Sequence, residues 1–293
     1  MATTEDEATG RSRFRVTDEA RETGVLRMGV MIGGEEGLRS AEDDVAHEEP
    51  LEIQVMGASM AVLMRTPGHD EELALGFLLT EGLIDRAADV ASIRHCTSVK
   101  DPEAEENIVR VVLAPGARVP IDRARTGFAS SSCGLCGKAT IESTLVRCDR
   151  LAPGPTFLRE TLFAMPDRMR AAQSAFTRTG GVHAAAVFAG DGELVLVRED
   201  VGRHNAVDKV VGALARTDRD PRELALVVSG RISFEIAQKA AVARLPIVAG
   251  VSAPTSLAVR FAERAGLTVV GFLRGRSMNV YTRPSRIDGA LAR

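Results

Sequence analysis

Aromatic side chains are scarce in this chain: no Trp and one Tyr, Tyr281, in 293 residues. The interior must therefore be built from Val, Leu, Ile and Ala. Cysteine is scarce too. Cys96, Cys133, Cys136 and Cys148 are the only four, too few for a disulfide scaffold. No apolar run approaches the ~18 residues that read as a membrane span. The opening residues, MATTEDEATGRSRF, lack the apolar stretch of a secretory signal. A net charge of −3 argues against a general polyanion-binding surface, so any anion site has to be local. GxGxxG and Walker sequences are absent, which excludes the common routes to NAD and ATP. These absences predict a cytoplasmic protein with reduced thiols and neither a nucleic-acid nor a membrane partner.

What is present divides the chain. Residues 1–49 are acidic and weakly periodic, and read as a solvated, partly disordered arm with one short strand at 25–34. Residues 50–120 read as a small α+β unit. LEIQVMG and MAVLMRT form a hairpin, the helix of PGHDEELALGFLLTEG starts at Pro67–Asp70 and stops at Gly82, and two further strands lie in ASIRHCTSV and NIVRVVLAP. Residues 121–139 form a long loop of small and basic residues that contains SSCGLCGK. Residues 140–293 read as an α/β domain. LFAMPDRMRAAQSAFTRTGG is predicted to be one helix ending at Gly180. HAAAVFAGDGELVLVRED is a hairpin turning at Asp191-Gly192. After it, helices alternate with the apolar strands LALVVSG, PIVAG and LTVVGFLR, the signature of a mainly parallel sheet.

Two features carry chemistry. The first is the Cys133-x-x-Cys136 pair. Structural zinc would need four ligands, and the remaining candidates, His95, Cys96, Cys148, His183 and His204, have no knuckle spacing. Thioredoxin-like chemistry would place the pair at a helix start directly after a strand, not in a polar loop. A persulfide carrier needs mobility, which Gly134 and Gly137 supply, and thiolate character, which Arg123, Arg125 and Lys138 favour. Spacing alone leaves all three open.

The second feature is a set of anion cradles. Ser229-Gly230-Arg231 and Ser252-Ala253-Pro254-Thr255 each link an apolar strand to a helix, where parallel sheets bind phosphates. Arg274 and Arg276 straddle Gly275 after the last apolar strand. REDVGRHNAVDK adds Arg198, Arg203, His204 and Lys209, with Asp200 and Asp208 placed to orient His204. His183 reads as a core or strand-edge histidine. Together the cradles predict an extended, phosphate-bearing ligand on one sheet edge.

Taken in order, SSCGLCGK, TGGVHAAAVF, REDVGRHNAVDKVVG, LVVSGRISFEIAQKAA, PIVAGVSAPTSLAV and GFLRGRSMNVYT resemble the FdhD/NarQ family of formate dehydrogenase accessory sulfurtransferases, over residues 50–285. The resemblance implies a cytidine-deaminase-like α/β core, usually a homodimer. It implies a sulfur carrier loaded by a cysteine desulfurase, with the persulfide on Cys133 and Cys136 as its partner. The sulfur passes to the bis-molybdopterin guanine dinucleotide molybdenum cofactor that serves formate dehydrogenase. Phe272, Leu273, Arg274, Gly275, Arg276 and Ser277 match the family's cofactor-binding segment. Ser229, Gly230, Arg231, Ser252, Thr255 and His204 are expected beside it. Deaminase chemistry does not carry over. Zinc deaminases carry H-x-E followed by P-C-x-x-C, whereas His183 precedes Ala184-Ala185, so no catalytic metal is expected. The alternatives remain a zinc-stabilised nucleotide-binding module and a dithiol oxidoreductase.

Overall fold

The computed structural model describes residues 18–34, 37–96, 106–117 and 149–288. Cys133, Cys136, Cys148 and the whole 121–139 loop lie outside them.

Residues 18–46, assigned from sequence to the acidic arm, contain a short helix and a long hairpin: α1 (Asp18–Thr23), β1 (Val25–Gly34) and β2 (Gly37–Ala46). The acidic run is stabilised as a strand because Asp44 accepts from Arg27 across the ribbon and from Arg178, each at 2.9 Å. β3 (Glu49–Val55) and β4 (Ala58–Arg65) follow as the expected hairpin. Its turn places Met56 and Gly57 at φ 50 and 83. α2 (Asp70–Thr80) begins and ends where the sequence indicated. β5 (Val90–His95) and β6 (Ile108–Leu113) complete a four-stranded sheet of order β4-β3-β6-β5.

The second half begins with β7 (Phe157–Leu158) and α3 (Arg159–Ala171). The single helix predicted here is two helices. The chain leaves helical geometry at Gln173 (φ −86, ψ 87), and α4 (Ser174–Thr179) starts afresh before Gly180 ends it in the left-handed region. Glu199 supplies the reason, because its carboxylate accepts from the amides of Ala175 and Phe176 at the new start. β8 (His183–Phe188) and β9 (Leu194–Asp200) form the hairpin. Next come α5 (Arg203–Leu214), β10 (Ala225–Val228), α6 (Phe234–Val242), β11 (Ile247–Gly250), α7 (Ser256–Ala265), β12 (Thr268–Arg274), β13 (Ser277–Val280) and the short β14 (Ile287–Asp288). The six-stranded sheet has the order β13-β12-β11-β10-β8-β9. β10, β11 and β12 are parallel, whereas β8, β9 and β13 run antiparallel to their neighbours.

Both faces of this sheet are covered. Leu162, Met165 and Met169 of α3 pack on Ala186, Val227 and Ala249 on one side. Val207 and Val210 of α5, Ile236 of α6 and Ala262 of α7 pack on Val187, Leu226 and Val248 on the other. Behind α5 lies α2, which in turn packs on the small sheet through Leu73, Leu75, Phe77 and Leu78. α2 is buried almost all round because it is enclosed by both units.

The contact between α2 and α5 is very close. A Cβ on Gly76 would stand 2.6 Å from the carbonyl carbon of Asp208, and one on Gly212 would stand 2.7 Å from that of Glu72, closer in each case to the oxygen. Around this crossing lies a buried polar knot. Lys239 Nζ donates to Asp208 Oδ2 (2.9 Å), Thr80 Oγ1 (2.9 Å) and Glu81 Oε1 (2.7 Å), and Thr80 Oγ1 donates to Asp208 Oδ1 (2.7 Å). A second knot joins Lys209 to Asp200 (2.8 Å) and to the Thr66 carbonyl (2.7 Å). Arg198 forms a bidentate pair with Glu72 at 2.6 and 2.9 Å.

Two predictions follow from this junction. Gly76→Ala or Gly212→Ala should each cost about 3 kcal/mol or more, the upper range for overpacking. Urea unfolding should show a lower midpoint at unchanged slope, and wild-type midpoints would refute the close crossing. Glu72 supplies the second. Burial acts to raise its carboxyl, but the Arg198 hydrogen bond overrides burial and lowers the pKa to about 2. A depressed folded-state pKa contributes stability above the ordinary carboxylate value, and that stability is lost as pH falls towards 2. Glu72→Gln should therefore be less stable than wild type at neutral pH, and the gap should close between pH 4.5 and 2. A gap that stayed constant through that window would contradict the assignment.

Candidate functional site on the carboxyl edge of the large sheet

Because β10, β11 and β12 are parallel, the turns that follow them emerge along one edge. β8 starts and β9 ends on the same edge, because His183 pairs with Asp200 and Ala185 with Val228. The edge therefore collects Ser229-Gly230-Arg231, Ser252–Thr255, the Arg274–Ser277 turn, His183 and the start of α5 with His204. Backbone hydrogen bonds join these turns. Ile232 N donates to Ala253 O (3.2 Å), Thr255 N to Ile232 O (2.9 Å), and Phe272 N to Ser252 O (3.1 Å). All the anticipated ligand-holding side chains except one lie on or near this row. The exception is Leu273, which is fully buried in the core beneath the sheet. Its side chain anchors the hairpin from below.

The Phe272–Ser277 stretch spans the end of β12 and its hairpin turn to β13. Arg274 pairs with Ser277 across Gly275 and Arg276, and Gly275 takes φ 55. A bulge between Gly271 and Arg274 puts Phe272 at φ 53, a genuine outlier for a bulky side chain. The bulge needs glycine beside it, since a Cβ at Gly271 would lie 2.7 Å from Pro254 Cδ and 3.0 Å from Tyr281 Cε2. The guanidinium carbons lie 5.8 Å from the Phe272 ring centre for Arg274 and 5.9 Å from that of Phe163 for Arg276. Neither arginine forms an ion pair among the described residues.

Several hydroxyls of the row already serve the fold. Ser229 Oγ accepts from Ala184 N at 2.9 Å, and Thr255 Oγ1 caps α7 at Ala258 N. His204 is held differently from the sequence expectation. Asp208 lies in the Lys239 knot, Asp200 binds Lys209 and Asn205, and neither is bonded to His204. The carboxylate that orients it is Glu235, with His204 Nε2 at 3.1 Å from Oε2 and 3.3 Å from Ser233 Oγ. This contact, with help from Ser233, holds the Glu235 carboxyl down to about 2 against burial. Sequence reasoning missed Ser233 and Glu235, although S-x-E opening an apolar helical run was visible in SFEIAQKAA. His183 is half-buried at the start of β8, as a strand-edge histidine should be, with Nδ1 3.5 Å from the Cβ position of Gly230.

The opposite, amino edge carries a cleft of ≈ 1060 Å³ between α2, α5 and the residue 149–154 segment. Asp149, where the described chain resumes, lines it. Ala114, three residues before the chain leaves the described set, bonds to Asp89 beside the same rim. The described chain therefore breaks off and resumes near this edge. Among the described residues no group of three or more His, Cys, Asp or Glu is placed to hold a metal ion, and no helix is long and apolar enough to cross a membrane.

Comparison with known proteins shows relatives over most of the chain. The FdhD/NarQ family model matches residues 46–288. The sulfur carrier protein FdhD of Mycobacterium tuberculosis is 50% identical over 254 residues, covering 84% of this chain and 92% of the relative. The protein of the same name from Sulfolobus acidocaldarius is 45% identical over 251 residues, covering 85% and 93%. A crystal structure from Desulfotalea psychrophila, provisionally assigned as a formate dehydrogenase accessory protein, superposes with a TM-score of 0.72 at 24% identity. It covers 90% of this chain and 99% of that one, and at that identity it attests the fold alone.

The strained Phe272 supplies a test of the edge itself. Phe272→Gly should leave the thermal midpoint unchanged or raised, because relief of roughly 1–3 kcal/mol of backbone strain offsets the lost ring contacts. Ligand-dependent function should fall sharply. A steep loss of stability would make the ring part of the core and remove it from the site.

Proposed function

The chain belongs to the FdhD/NarQ family, and from that premise we propose that it is a sulfur carrier serving formate dehydrogenase. Its curated relatives bear the name sulfur carrier. In this reading the Cys133 thiolate attacks the outer sulfur of a cysteine desulfurase persulfide. The donor's S–S bond breaks, the donor cysteine leaves as a thiolate, and Cys133 retains the sulfur as a persulfide. The acceptor substrate is the bis-molybdopterin guanine dinucleotide form of the molybdenum cofactor, held along the carboxyl edge. Cys136 assists release or tunes Cys133. The work belongs in the cytoplasm, in a homodimer, and we read the layered core as cytidine-deaminase-like.

The observation that carries the reading is the row of cation-bearing turns on one edge. Arg231, Arg274 and Arg276 are exposed and form no ion pair among the described residues, and the starts of α5, α6 and α7 open onto the same edge. A dinucleotide-type ligand with several phosphates fits such a row. The 31 residues 118–148 amount to roughly 100 Å of chain at full extension, more than the roughly 13–24 Å depth of the sheet's strands of four to seven residues.

Intact-mass measurement after incubation with a cysteine desulfurase and cysteine tests the carrier step. Wild type should gain one reductant-labile sulfur and Cys133→Ala none, with the thermal midpoint unchanged. Cys133→Ala should also fail to support formate dehydrogenase activity in a strain lacking the native protein. A Cys133→Ala protein that restores full activity would falsify the proposal. Stoichiometric zinc without sulfur gain would move the pair to a structural role.

A further inference from the structure

β1 and β2 pair only with each other, as a two-stranded ribbon running from Val25↔Ala46 to Gly34↔Gly37. Such a ribbon is marginal in water unless a hydrophobic face is covered. Opposed residues share a face, and the faces alternate along each strand. One face carries Val25 with Ala46 and Arg27 with Asp44. The body of the protein covers the root of that face. Val25 packs with Ala175 and Val182, and Asp44 accepts from Arg178.

The other face carries Leu26, Met28, Val30 and Ile32 on β1, with Val45 and Ala41 on β2. Along β1 this apolar stripe is unbroken. None of the six belongs to a buried cluster or packs against one among the described residues. Ile32 is exposed and the other five are half-buried. Two charges stand on the same face, Asp43 opposite Met28 and Arg39 opposite Ile32. Both are exposed, and neither forms an ion pair among the described residues. Asp43 accepts from the amide of Asp44 at 2.9 Å.

The spacing of these groups makes the face complementary to itself. Asp43 and Arg39 lie two residues either side of Ala41, as Met28 and Ile32 lie either side of its partner Val30. Two ribbons stacked end over end, about a twofold axis crossing the strands at the Val30–Ala41 rung, set Val30 on the second copy's Val30. Met28 then meets the second copy's Ile32, and Asp43 meets the second copy's Arg39, each contact occurring twice. Stacking about an axis along the strands would instead set Asp43 over Met28 and Arg39 over Ile32, charge against apolar surface. The overlap from Leu26 to Gly34 measures roughly 30 Å by 10 Å. The seam therefore buries about 600 Å² counted over both copies, about half of a standard interface, which suits a dissociable pair.

We propose that the apolar face of the β1–β2 ribbon is covered by the same face of a second copy of this chain, stacked end over end about the Val30–Ala41 rung with Asp43 and Arg39 paired across the seam. The proposal rests on the homodimer reading above and deepens it by assigning the seam. Apolar contact supplies the affinity. The exposed ion pairs add little energy, but they select the register by penalising the alternatives.

Sedimentation of the full chain across the micromolar range tests this. Wild type should move reversibly from monomer to dimer. Val30→Asp sets two carboxylates on the axis and should weaken association at least tenfold, with the thermal midpoint unchanged. Arg39→Asp and Asp43→Arg should each weaken self-association about fivefold, because like charges then meet twice. Mixed together, these two variants should pair as tightly as wild type, since every charge in the mixed pair meets its opposite. A chain carrying both changes should recover self-association for the same reason. A dimer indifferent to Val30→Asp and to both charge reversals would overturn the seam and leave the homodimer standing. A monomer at every concentration would overturn both. A lower thermal midpoint for Val30→Asp at unchanged mass would mean that the same chain covers the face, and would overturn the seam. Weakening by the charge reversals without rescue in the mixture would overturn the twofold register and the proposal with it.

Discussion

Much of the molecule depends on the crossing of α2 and α5, where two glycines let two backbones touch. Gly76 and Gly212 remove the side chains that would otherwise hold the helices a normal distance apart. The approach brings Thr80 and Glu81 of α2 within bonding distance of Asp208 on α5 and Lys239 on α6. The burial of an ammonium and a carboxylate is tolerable there only because each is multiply hydrogen-bonded. Lys239 makes contacts to both units, so it cannot be satisfied unless both are docked. Burial works to raise Asp208 and to lower Lys239, and the ring of donors and acceptors keeps Lys239 firmly protonated. The same α5 presents Arg203 and His204 at its start, so the crossing that joins the units also fixes part of the carboxyl edge.

The sequence was most informative where local pattern and tertiary role coincide. The strands ALVV, IVAG and TVVGFLR are buried on both faces, and their continuous apolar runs said so. Their strand-to-helix turns followed from the parallel rule. The sequence was least informative where a distant partner decides. The bounds of α2 were legible, but nothing local shows that both units enclose it. The acidic run of β2 looked solvated because Arg178, which holds Asp44, lies far along the chain. The break after Ala172 depends on Glu199 from β9. Residues 121–139, where the sequence placed the thiol loop, lie outside the described structure.

The candidate site divides in the same way. Glycine-rich and arginine-rich turns announced the edge, but which side chains complete it was a question of pairing. His183 reaches the edge only because β8 runs antiparallel to β10, and an apolar strand alone does not reveal its direction. His204 lies on the edge, but its partner is not the one the sequence suggested. Its acid is Glu235, two residues into the helix after the next strand, and not Asp200 or Asp208 nearby in sequence. Proximity along the chain was a poor guide because Asp200, at the end of β9, bonds the Thr66 amide beside the small sheet, and Asp208 on α5 bonds Thr80 of α2.

The placement of charge gives the edge its character. The protein is net acidic, yet Arg203, Arg231, Arg274 and Arg276 of the carboxyl edge form no ion pair among the described residues. Neutralising Arg203, Arg231, Arg274 and Arg276 internally would have required only a few carboxylates in exposed turns, where substitution is cheap. Their absence leaves a local field aimed at one side of the sheet. The described chain breaks off after residue 117 and resumes at Asp149 on the opposite side, beside the cleft at the amino edge.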